Sequence, residues 1–425
     1  MLFIYSETIS NRLVYTLDFI FKTRGIDYVL CDDFVAFERL EDQRFNYSDR
    51  HFENIKKILP SPLLFDQKIK EYEIKIGEFN GLDCLQFDDV VDPLAAIFYI
   101  LSRMEEYNSK LRDKHGRFEG KNSTLFRFAW HEKAMCDRWS EAILDFLAIS
   151  SNTNSKDFQF LPTFDIDNAY AYKHKGFFRS SMANLRDAIT GHTRRLLERQ
   201  NVQSGLKKDP FDTYDIIEDT QNKGFSVLLF WLLGDYAKYD KNLSYKHPKH
   251  QKLIRRMNEH IEIGIHPSYK STSYYYYLHQ EIERLEEIID KRVHKSRQHY
   301  LKLEFPLSYQ SLIDNEITDD YTMGYADIAG FRAGTAHSFL WFDLSTNAVT
   351  SLRIHPFVYM DGTLNQYLKL SPNEAKEKIQ QLWEEVKRYG GDFIFIWHNE
   401  TLGEKRIWKG WLDVYYFTLE LKIFE

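Results

Sequence analysis

The chain reads as an α/β protein, a parallel sheet or barrel with helices outside, preceded by a smaller α/β unit. Three observations predict this. At 425 residues the chain exceeds what one ordinary core accommodates, so two domains are the default. From about residue 158 onward, short apolar runs alternate with helical segments, the pattern of strands feeding crossover helices. Between the halves lies the polar run SSNTNSKD, Ser150 to Asp157, which has the composition of a linker. The expected domains are therefore residues 1–150 and 158–425.

In the first domain, the apolar residues Leu2 to Tyr5 predict a strand and Arg12 to Lys22 a helix. Gly25 then punctuates before a second strand, Tyr28 to Leu30. Asp92 and Pro93 form a favourable helix entry, and Leu94, Ile97, Phe98 and Leu101 recur at helical spacing. Arg103, Glu105 and Glu106 close that helix, and the stretch with Asp113, His115, Gly116 and Arg117 reads as a loop. In the second domain, FLPTFDID (Phe160–Asp167) predicts the first strand, followed by a long helical region. FSVLLFWLL (Phe225–Leu233), a helix up to His260, and IEIGIHPSY (Ile261–Tyr269) continue the alternation. The amphipathic stretch Leu278–Lys291 leads to RQHYLKL (Arg297–Leu303) and LRIHPFVYM (Leu352–Met360). A helix, Pro372–Tyr389, and DFIFIWHNE (Asp392–Glu400) complete it.

Composition narrows the function. Net charge is −7, which gives no electrostatic footprint for nucleic acid. One stretch, Tyr172 to Lys208, is locally basic through Lys173, Lys175, Arg179, Arg194, Arg195 and Arg199. It reads either as a solvated helical face or as a surface for an anionic glycan or a membrane. Aromatics make up 16% of the chain; they point first to heavy core packing, since such side chains bury well whatever the ligand, and second to platforms for sugar stacking. Cys31, Cys84 and Cys136 are too few and too scattered for a disulfide framework or a cysteine metal site. The N-terminus lacks the basic region of a signal peptide, and no run of 18 apolar residues predicts a membrane span. A cytoplasmic location is the resulting expectation.

In parallel α/β folds the chemistry gathers at the carboxyl ends of the strands. Asp165 and Asp167 end the first predicted strand and, two apart, face one side. Paired carboxylates repel unless one is protonated or a cation sits between them. His266 ends its strand, with Gly264 allowing close backbone approach and Pro267 stopping the run. Arg297 and His299 alternate on the next strand: His299 suits a third metal ligand, and Arg297 suits orienting a carboxylate. His398 emerges from the apolar run FIFIW, a placement that suits a general acid. Each of these residues also has a bland reading, as a solvated strand end or a hydrogen-bonded core histidine.

The motifs TFDID (Thr163–Asp167), EIGIHPS (Glu262–Ser268), SRQHY (Ser296–Tyr300) and FIFIWHN (Phe393–Asn399) occur in the order of the NodB-homology domain. Ser308–Tyr325 also looks like the helix and strand after that family's arginine motif. The chain from about Phe160 onward thus resembles carbohydrate esterase family 4, the polysaccharide deacetylases. The first 150 residues resemble the uncharacterised domain that often precedes such modules in bacterial proteins.

The resemblance implies a deformed (β/α) barrel and a divalent metal, zinc or similar, held by an Asp-His-His triad. It implies hydrolysis of an N-acetyl or O-acetyl group. Carried over, Asp165 is the catalytic base, Arg297 the motif arginine and His398 the acid. Ile166 stands where the family has its metal aspartate, so Asp167 substitutes. His266 matches the first metal histidine, Lys270 stands at the second, and His299 is the replacement. Arg332 in GFRAGT and Asn399 are expected to contact substrate. The expected substrate is a carbohydrate, and the cytoplasmic expectation favours a lipid-linked or nucleotide-linked precursor of an envelope glycan. Tyr274–Tyr277 would line a glycan groove or form a packed helix face. A degenerate, glycan-binding scaffold on the same fold and an amidohydrolase acting on a non-glycan amide are the alternatives.

Overall fold

A computed structural model describes residues 1–150 and 158–423. The linker expected at Ser150–Asp157 lies, beyond Ser150, outside the described residues.

The first half holds two small sheets. β1 (Leu2–Tyr5), β2 (Tyr28–Cys31), β3 (Gln43–Asn46) and β4 (Lys56–Lys57) pair in parallel in the order β2-β1-β3-β4. β5 (Ile74–Phe79), β6 (Leu82–Phe87) and β7 (Val90–Val91) form an antiparallel meander. The helix Asn11–Ile20 starts where the Ser10 side chain accepts the Leu13 amide, and Gly25 takes the left-handed conformation that ends the following turn. The helix Pro93–Leu101 starts at Asp92, whose carboxylate accepts the Leu94 and Ala95 amides. Every residue of that helix is buried, at about 1.5–3 kcal/mol for each large apolar side chain. The single helix expected through Tyr107 is two, because Arg103 adopts φ 53° and starts a separate turn, Met104–Asn108.

The second half is built on one nine-stranded sheet. Its strands are β8 (Gln159–Ile166), β9 (Leu228–Trp231), β10 (Glu262–Ile265), β11 (Lys295–Ser296), β12 (Asp319–Asp320), β13 (Phe339–Asp343), β14 (Ala348–Ile354), β15 (Tyr359–Met360) and β16 (Asp392–His398). Their order is β13-β14-β12-β11-β10-β9-β8-β16-β15, parallel except for the β13–β14 pair. Among the described residues no pairing joins β13 to β15, so hydrogen bonding leaves a large mixed sheet with two ends where a barrel was expected.

Two strand expectations are also corrected. Arg297–Leu303 is not a strand: β11 stops at Ser296, and positive φ at Tyr300 and Leu301 bends the chain in a tight turn at His299–Leu301. Leu352–Met360 is split in two, β14 ending at Ile354 and β15 starting at Tyr359, with Pro356 between them supplying no amide to the ladder.

Strand alternation sorts the side chains. Phe160, Phe164, Phe393, Phe395, Trp397, Leu229 and Trp231 join the main core under the helices. Leu161, Leu228, Phe230, Ile394 and Ile396 lie on the other face, in a compact cluster with Tyr321 and Phe357. The main core is continuous from Leu13, Leu94 and Trp139 to Val414 and Leu419, so the two halves share it. The long helix Pro372–Tyr389 has a capping box, Ser371 with Glu374, and ends at Gly390. That helix packs against the C-terminal helix Trp411–Ile423 and against β16.

Candidate active site

Parallel pairing fixes which side chains meet. In β8 and β16, His398 lies directly across from Asp165. Both therefore point to the inner face with Asp167, which follows β8 by one residue. β10 runs parallel to β9, and its next residue, His266, emerges at the same rim. The backbone of Arg297 continues beside β10, its amide donating to the Ile265 carbonyl. The turn His299–Leu301 then brings His299 alongside His266, with ring centroids 5.0 Å apart.

Asp167, His266 and His299 each offer a ligand atom, and these atoms lie within 4.8 Å of one another. Hydrogen bonding fixes which atoms those are. His266 Nδ1 lies 2.6 Å from the Arg297 carbonyl, which only accepts, so Nδ1 carries the hydrogen. His266 Nε2 then faces Asp167 Oδ1 at 3.1 Å. His299 repeats the arrangement, with Nδ1 on Asp240 Oδ1 at 2.8 Å and Nε2 3.5 Å from Asp167 Oδ2. Asp167 Oδ1 is buried and takes no hydrogen bond. Two imidazole nitrogens and a carboxylate converging on one point are compatible with a cation, and a backbone or carboxylate partner on the far nitrogen is typical of metal-ligating histidines. This donor set fits a divalent ion of the zinc type.

The electrostatics agree. Burial works to neutralise Asp167, but His299, His266 and His398 overcome it and hold its carboxyl well below its ordinary value. Burial likewise opposes charge on His299, yet Asp167 and Asp240 raise its pKa to about 9.

Two groups flank the triad. Asp165 is tied by Oδ1 to Arg297 Nη1 at 2.9 Å, and its Oδ2 lies 3.9 Å from His266 Nε2. Arg297 is itself held by Thr163 Oγ1 and the Tyr321 carbonyl and lies over the Phe230 ring. His398 has Nε2 4.0 Å from Asp167 Oδ2 and Nδ1 on the Asp361 carboxylate at 2.9 and 3.1 Å. Burial lowers the pKa of His398, but Asp361, with Asp167 and Asp165 behind it, raises it well above the usual histidine value. Asp165, Asp167, His266, His299, Asp361 and His398 line a cleft of about 500 Å³, open to solvent.

Several expected residues lie elsewhere. Arg332 does not line the cleft: it is buried and pairs with Glu106 at 2.9 Å and 2.5 Å, fastening the two halves together. The Asn399 amide donates to the Phe211 and Asn168 carbonyls beneath the rim, so it tethers loops and is not part of the cleft lining. Lys270 lies over the Tyr277 ring, away from the triad, and Tyr274, Tyr276 and Tyr277 are absent from the lining. The aromatic walls come instead from Tyr239, Tyr300, Tyr367, Phe211 and Trp408.

The sequence reading missed four participants. Asp361 follows β15 directly, and the strand-end rule finds it once Leu352–Met360 is divided at Pro356. Glu400 lines the cleft beside His398, and burial followed by the charge of Asp167 raises its pKa to about 7. Asp240 sits in an irregular loop with no periodic signal. Arg117 reaches over from the first half, donating to the Tyr300 carbonyl and the Tyr367 hydroxyl. Only folding brings Arg117 to the cleft.

Comparisons with known proteins add the following. Residues 2–151 match a family of unknown function, DUF7033. No curated protein sequence matches the chain. Among solved structures, it is similar to a crystal structure from Mycobacterium smegmatis whose assignment as a polysaccharide deacetylase is itself a proposal. The TM-score is 0.41 at 14% identity, over 64% of this chain and 86% of that one.

Proposed function

We propose that this protein is a metal-dependent hydrolase that removes an acetyl group from an N-acetylated or O-acetylated sugar. The observation that carries the reading is the convergence of Asp167, His266 and His299 at the strand ends, with Asp165 and His398 on either side. Asp167, His266 and His299 would hold a divalent ion, which supplies Lewis acidity toward a carbonyl and toward water.

The remaining steps belong to the chain's own groups. Asp165, with one oxygen fixed by Arg297, offers the other to take a proton from the attacking water. His398, held in one orientation by Asp361, delivers a proton to the departing nitrogen or oxygen. The Arg297 charge beside Asp165 keeps that carboxylate in place as protons move. The aromatic walls offer faces on which sugar rings stack.

The test is a deacetylase assay on acetylated amino-sugar oligomers with zinc supplied, comparing wild type with Asp167→Ala and His266→Ala. Wild type should hold about one ion per chain and release acetate. Both variants should lose the ion, and activity should fall by two or more orders of magnitude. Equal acetate release from all three proteins refutes the proposal.

A further inference from the structure

The helices Phe177–Ile189 and Thr193–Gln203 follow β8 and pack against each other. On the first, Met182, Leu185 and Ile189 recur at steps of three and four, so they share one face. They are 71%, 63% and 76% exposed, and Phe177, Leu197 and Leu206 are 83%, 56% and 78% exposed. Large apolar side chains left this bare in one place mark a surface that meets something apolar.

Charge identifies the partner. Between Lys173 and Lys208 the sequence has nine Lys and Arg against Asp187 and Glu198 alone, in a chain whose net charge is −7. Both acids are paired: buried Asp187 with Arg195 and Arg199, and Glu198 with Lys405. Arg186, Arg194 and Lys207 are exposed on the same segment, while Lys208 pairs with Asp215. An apolar face bordered by cations, on helices far too short and polar to span a bilayer, is the composition of a segment lying in an anionic lipid surface.

The hairpin is also fixed to the rim of the cleft. Arg179 donates to the carbonyl of Lys241, a residue of the cleft lining, at 3.0 Å, and Lys405 pairs with Glu198 at 2.6 Å, which ties the hairpin to that loop. We propose that the 177–208 hairpin docks the protein on an anionic membrane surface, with the cleft mouth facing the lipid. This inference does not depend on the hydrolytic reading, and its test involves no catalysis.

The experiment is co-sedimentation of the full chain with phosphatidylcholine vesicles, with and without phosphatidylglycerol. Wild type should pellet with the phosphatidylglycerol vesicles, stay in solution with the neutral ones, and be released by high salt. The variants M182S/L185S/I189S and R186E/R194E should each weaken binding by about tenfold or more, with unchanged melting temperatures because the replaced side chains are exposed. The inference is overturned if wild type ignores phosphatidylglycerol vesicles, or if both variants bind like wild type. It is equally overturned if light scattering finds a dimer that M182S/L185S/I189S dissociates while vesicles stay unbound, since the row is then covered by a second copy.

Discussion

Replacing Glu106 with alanine tests what holds the two halves together. Glu106 accepts Arg332 Nε at 2.9 Å and Nη2 at 2.5 Å, and Arg103 Nε at 2.9 Å. The three side chains are at most 3% exposed. Burial works to neutralise Glu106, but Arg332 and Arg103 hold its carboxyl below the ordinary value. Truncation removes the acceptor of three N–H donors and leaves two guanidinium charges in the interior, with Glu105 still on Arg103 alone. Breaking a buried ion pair from one side costs about 3–5 kcal/mol. That is a large part of the roughly 5–15 kcal/mol that stabilises a typical protein.

Urea denaturation followed by tryptophan fluorescence reads this cost. Glu106→Ala should lower stability by about 3–5 kcal/mol. The double variant E106A/R332A removes one orphaned charge, so its loss should fall short of the sum of the single losses by about 1–3 kcal/mol. Zinc binding by the folded variants should be unchanged, because the triad lies elsewhere. Losses that add to within about 0.5 kcal/mol would refute the account of Arg332 as a fastening residue.

Three further outcomes follow from the site and the core. Asp240→Ala removes the carboxylate that orients His299, and zinc affinity measured by chelator competition should drop about 10–100-fold; unchanged affinity would mean that His299 is not a ligand. Asp361→Asn should lower the His398 pKa in an NMR titration of the metal-free protein, because the carboxylate that favours the imidazolium is gone; an unmoved titration counts against the dyad. His250 is buried and neutral, its Nε2 accepting from Trp231 Nε1 at 2.8 Å, and burial depresses its pKa from 6.5 to about 4. The unfolded chain takes up that proton first, so stability is full above about pH 6.5 and falls by about 3 kcal/mol as pH drops toward 4. His250→Gln should flatten that acid limb in urea titrations at pH 7 and pH 5, and equal slopes would remove His250 from the account.

Local patterns in the chain specified a good deal. β1 and the helix Pro372–Tyr389 sit where apolar periodicity and capping residues put them, since both are written within a few neighbouring positions. Asp165, Asp167, His266 and His398 were legible because parallel strands deliver their carboxyl ends to one rim, so a polar residue closing an apolar run is visible in sequence. The failures have a common physical source. Arg332 looked like a site residue because a lone arginine in an apolar stretch carries no sign of its partner, and Glu106 is more than 200 positions away. Asp240 and Arg117 reach the cleft from irregular segments whose path is set by packing, with no repeat to betray them. Which residues can form strands and caps is decided by neighbours in the chain. Which charges end up facing each other is decided by tertiary packing, because an ion pair depends on distance in space and the sequence records only distance along the backbone.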